Sequence, residues 1–112
     1  MIIELRERIE EDMMKAKWFK LGSGYKGTLR GNATILVAVV EVEQDHFLAC
    51  VCFSDLCKKW ATIGSADDAW DAREILENAA DQMIKDEESA QIRSIMQMIE
   101  ALPRVAALIE SM

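Results

Sequence analysis

Hydrophobic positions recur with a helical spacing at both ends of this chain and alternate with a period of two in its middle. Ile2, Leu5, Ile9 and Met13 fall three and four residues apart, which predicts an amphipathic helix from Ile2 to about Lys20. Its charges change sign along its length, from Glu4, Glu7, Glu10, Glu11 and Asp12 to Lys15, Lys17 and Lys20, an order that complements the helix dipole. Gly22, Gly24, Gly27 and Gly31 then break the pattern, and a short strand fits Tyr25 to Arg30.

The centre predicts a β-hairpin: Thr34 to Glu43, a tight turn at Gln44-Asp45, and His46 to Ser54, built largely of aliphatic and aromatic residues. Both of its faces are apolar. Ile35, Val37 and Val39 point one way and Leu36, Ala38, Val40 and Val42 the other. Such a strand cannot leave one side in water, so the chain's own helices or a second subunit must cover both. Lys58 to Ile63 adds a further strand.

Ser65 is then a good N-cap for a helix from about Ala66 to Lys85. Its apolar arc is Ala69, Ala72, Ile75, Leu76, Ala79, Ala80 and Met83. Ser89 caps a last helix through Ile92, Ile95, Met96, Ile99 and Leu102, which Pro103 interrupts. The fold class expected is α+β in one domain, 1–112. An N-terminal helix precedes an antiparallel sheet of three or four strands built on the central hairpin, and two C-terminal helices follow (α-β-β-β-(β)-α-α).

Composition allows a packed core: 51% of residues are hydrophobic and 29% charged, which removes disorder as the starting assumption. Charge changes the picture more. Ser65 to Glu88 holds nine carboxylates against two bases, and that surplus equals the net charge of −7 for the entire chain. A field concentrated in this way attracts basic partners and repels phosphates. Direct nucleic-acid binding is therefore not expected. No stretch is apolar for long enough to cross a membrane as a helix. The opening MIIELRERIEED lacks the apolar run of a signal peptide, and three cysteines form no paired framework. Both point to the cytoplasm.

Candidate chemistry is sparse. Gly22-Ser23-Gly24-Tyr25-Lys26-Gly27 has GxGxxG spacing, but a phosphate-cradling loop follows a strand and opens a helix, and here the predicted order is reversed. Cys50, Cys52 and Cys57 with the single His46 offer neither a zinc knuckle nor a second histidine. They read as core thiols, and the sequence implies no metal, no cofactor and no enzyme. What remains is a surface. Asp67, Asp71, Glu74, Glu77 and Asp81 share the outer arc of the predicted helix, and Trp70 falls inside that arc as an interface anchor would. Lys15, Lys17, Lys20, Lys26 and Arg30 gather into a second, basic surface.

The reading that unites these features is a non-catalytic inhibitor or adaptor whose acidic helix docks a basic partner protein. That partner could itself bind nucleic acid, the carboxylates then mimicking phosphates. By size, charge and element order the chain is comparable with immunity proteins, secretion chaperones and phage-encoded anti-defence proteins, although no motif selects among them. The alternative is a self-associating homo-oligomer, a dimer at its simplest, that buries the two-faced hairpin against its mate.

Overall fold

The computed structural model describes residues 15–54, 57–88 and 99–112. Five strands form an antiparallel meander: β1 (Ala16–Leu21), β2 (Gly24–Leu29), β3 (Asn32–Glu43), β4 (His46–Phe53) and β5 (Cys57–Ala66). A two-residue strand, β6 (Ile99–Glu100), pairs with β5, so the sheet order is β1-β2-β3-β4-β5-β6. Helix α1 (Ala69–Glu88) follows β5, and a short helix, α2 (Pro103–Glu110), follows β6.

The class is α+β, but the expected order of elements is corrected in three places. Lys15 to Lys20 does not finish a helix. The three-and-four rhythm ends at Met13, and KAKWFKL alternates instead, with Ala16 and Trp18 buried and Lys17 and Phe19 exposed. It forms β1, and the remainder of the expected helix, 2–14, lies outside the described residues. Among the described residues the sheet therefore has five full strands and a short sixth, not three or four. At the C-terminal end, Pro103 opens a helix where it was expected to interrupt one. Proline at the first helical position sacrifices an N–H that has no partner there anyway. The expected helix from Ser89 to Leu102 falls on residues 89–98, outside the described residues, and on β6 and its exit.

The glycine-rich stretch has its own explanation. Leu21 pairs with Gly24 across a two-residue turn in which Gly22 takes φ 64°, a conformation that costs glycine nothing. A side chain on Gly24 would collide with the Val39 carbonyl. GxGxxG is thus a hairpin turn running into β2. The central hairpin lies where its pattern puts it, with Glu43 opposite His46 and Asp45 at φ 57° in the turn.

The hairpin's two apolar faces become two cores. On one, Ile35, Val37, Val39, Ala49, Val51 and Phe53 pack against Ala72, Leu76, Ala80 and Met83 of α1. On the other, Ala38, Val40, Cys50, Cys52 and Trp60 meet Val105 and Ile109 of α2. The chain's own helices thus cover both faces, the second incompletely among the described residues. The start of α1 also shifts from expectation. β5 continues through Ala66, so Ser65 lies in a strand, and Asp68 takes over the capping role by accepting a hydrogen bond from the Asp71 N–H at 2.7 Å.

Candidate functional site

Helix α1 lays its apolar arc on the sheet and buries Asp86 near its C-terminal end, while the five acids of the predicted outer arc divide into two sets. Glu77 and Asp81 lean toward the edge strand. One oxygen of Glu77 accepts hydrogen bonds from the Trp18 indole Nε1–H at 2.8 Å and from the Ala16 N–H at 3.2 Å. The other accepts from the Lys15 N–H. Asp81 accepts from Lys15 Nζ at 2.6 Å, an ion pair with both side chains more than half exposed. The hydrogen bond and the charge of Lys15 hold the Asp81 carboxyl below its ordinary value. These two acids are satisfied inside the protomer, binding β1 to α1.

Asp67, Asp71 and Glu74 form the second set. All three are exposed, and among the described residues none of their carboxylates has an ion pair or a hydrogen bond. They lie at the N-terminal end of α1, where the helix dipole favours negative charge.

Trp70 sits beside them, 45% exposed. Its ring lies 4.7 Å from the guanidinium of Arg73, which also stacks 4.4 Å from Tyr25 and 5.4 Å from Trp18. Trp18 and Tyr25 meet edge to face with centroids 6.2 Å apart. Arg73 itself is almost wholly buried. A planar cation among three aromatic rings is a favourable desolvated arrangement. It fixes Trp70 on a rigid base while leaving nearly half the residue in solvent. Sequence spacing places Arg73 one turn from Trp70, but Trp18 and Tyr25 come from β1 and β2, and no local signal announces them.

The five bases expected as a second surface are distributed, not gathered. Lys15 is taken by Asp81. Strand alternation places Lys20 on the α1 side with Trp18, whereas Lys17 and Lys26 lie on the opposite face. Lys17 Nζ stands 5.4 Å from the centre of the Phe19 ring. Arg30 occupies the exposed turn between β2 and β3, its N–H donating to the Lys15 carbonyl.

Cys50 and Cys52 sit in the α2-side core. Cys50 lies 3.7 Å from Thr62 Oγ1, and burial pushes its thiol up to about 11, which leaves it protonated and unreactive at neutral pH. Cys52 is buried beside it, while His46 is exposed at the start of β4. Among the described residues no three His, Cys, Asp or Glu side chains converge on a metal-sized site. Nor is any described helix long and apolar enough to cross a membrane.

No protein-family model, curated protein or solved structure matches this chain.

Proposed function

We propose that this protein is a non-catalytic binding module, an inhibitor or adaptor, that docks a basic partner protein through the N-terminal half of α1. The observation carrying this reading is the group Asp67, Asp71 and Glu74: exposed carboxylates without partners among the described residues, next to a half-exposed Trp70 braced on Arg73. The surface is narrower than the acidic arc suggests, because Glu77 and Asp81 serve β1. Aromatic anchors supply much of the binding energy at protein interfaces. A focused negative field raises encounter rates by about 10–10³-fold and loses that effect with salt. Placement in the cytoplasm belongs to the same proposal, as does kinship in role with small intracellular inhibitors.

The test compares the chain with its Asp71→Lys/Glu74→Lys double variant as bait for proteins of the native host. The expected result is a basic protein retained by the unaltered chain, released by moderate salt and lost from the double variant, with unfolding free energy lowered by no more than ~1 kcal/mol as Asp71 leaves the first turn of α1. Glu77→Lys is the contrast. It removes a charged acceptor from the Trp18 and Ala16 donors and lowers stability by about 2–3 kcal/mol. Equal capture by the unaltered chain and the double variant, or no salt-sensitive basic protein with either, overturns the reading.

A further inference from the structure

Five large apolar side chains stand exposed among the described residues. Phe19 and Leu21 border a trough beside Trp60 on the α2 side, and Leu102 and Leu108 belong to α2 and its cap. Trp70 is the one carried by α1, and it differs in what lies beneath it. The guanidinium carbon of Arg73 is 4.7 Å over its ring, and Arg73 is 5% exposed. One face of Trp70 thus rests on a buried positive charge. The side turned from Arg73 is the open one.

That charge decides what the open side can hold. An aromatic face attracts cations through its quadrupole, but weakly where water reaches it. A second cation stacked on the far side of Trp70 would stand roughly 9 Å from Arg73. Across a protein surface, the repulsion at that separation is as large as the attraction it opposes. The acids beside the ring draw a cation away as well. Glu74 lies one turn along α1 from Trp70, Asp71 is its neighbour and Asp67 precedes the helix, all three exposed. A charge-assisted hydrogen bond to a carboxylate is stronger than contact with an exposed ring. The partner's bases therefore go to the acids, and the ring is left for a side chain without charge.

We infer that Trp70 receives a large aliphatic side chain of the partner, flanked by lysine or arginine residues that pair with Asp67, Asp71 and Glu74. The inference rests on the docking function proposed above and narrows it. The partner offers an apolar residue set within a basic segment, not an unbroken basic run.

The experiment titrates the isotope-labelled full chain, at low salt, with three end-blocked peptides: Lys-Lys-Leu-Lys-Lys, Lys-Lys-Gly-Lys-Lys and penta-lysine. Amide shifts and the Trp70 indole resonance report binding. The leucine peptide should bind ~5–10-fold tighter than the glycine peptide, the gain from partly burying one aliphatic side chain. It should also bind tighter than penta-lysine, despite carrying less charge. Trp70→Ala should erase the difference between leucine and glycine. Arg73→Met, similar in reach but uncharged, should bring penta-lysine level with the leucine peptide, a change that a merely structural role for Arg73 would not produce. Leucine and glycine peptides binding alike, or penta-lysine binding tightest, overturns the inference and leaves the docking surface standing. So does a leucine preference that survives Trp70→Ala or is indifferent to Arg73→Met. The absence of saturable shifts near Trp70, Asp71 and Glu74 with every peptide overturns the docking function and the inference together.

Discussion

One backbone presents two unequal faces. Alternate residues of the same β3 and β4 strands point to α1 on one side and to α2 on the other, so both faces share their twist and hydrogen bonds. They differ in what covers them. A 20-residue helix closes the first, bringing Leu76 and Ala80 to zero exposure. Among the described residues an 8-residue helix closes part of the second and leaves a trough beside Trp60. The lesson is one of division: the closed face supplies stability, and the half-covered one keeps room for something else.

The largest expected effect tests that division directly. Leu76→Ala should cost about 3–5 kcal/mol in urea unfolding, because the site is walled on every side and a cavity there cannot relax. Ile109→Ala is equally buried, yet it should cost nearer ~2–3 kcal/mol, because α2 borders open space into which its neighbours can settle. Equal losses would erase the distinction between the faces.

The next effect is confined to alkaline pH and to the α2 side. The Cys50 thiol is held near 11 against an ordinary 9.0, so the folded protein keeps a proton that the unfolded chain releases. Its contribution is complete below pH 9 and disappears as pH rises through about 11. At ~1.4 kcal/mol per unit this amounts to about 2–3 kcal/mol. Cys50→Ala should flatten that part of the stability–pH curve; an unchanged slope would mean that the thiol is not held in the core.

The smallest effect is on the rim. Phe19 is 56% exposed, so Phe19→Thr, which keeps the strand preference of the position, should change unfolding free energy by less than ~0.5 kcal/mol. A loss several times larger would show the trough to be part of the core.

How much of this was legible follows the reach of each pattern. The hairpin was, because a period of two written on both faces admits few other structures, and Gln44-Asp45 marks its turn. The apolar arc of α1 was, because Ala72, Leu76, Ala80 and Met83 repeat locally. β1 was not: the charge order of Lys15, Lys17 and Lys20 suits a helix end, while the alternation of Ala16 and Trp18 is too short to outweigh it. The acidic surface was legible in part. Asp67, Trp70, Asp71 and Glu74 are displayed as expected, but the engagement of Glu77 and Asp81 depends on a strand some sixty residues earlier in the chain. Helical spacing cannot foresee such a contact.

That long-range contact has a consequence for how copies of this protein behave toward one another. Among the described residues β1 is the open margin of the sheet, and its outward amides are the groups on which a neighbouring ribbon would zip. A single glutamate from the helix occupies the first of them and ties down the indole next in line. The molecule thus guards its own border with a side chain that, counted only as negative charge, looks free for visitors.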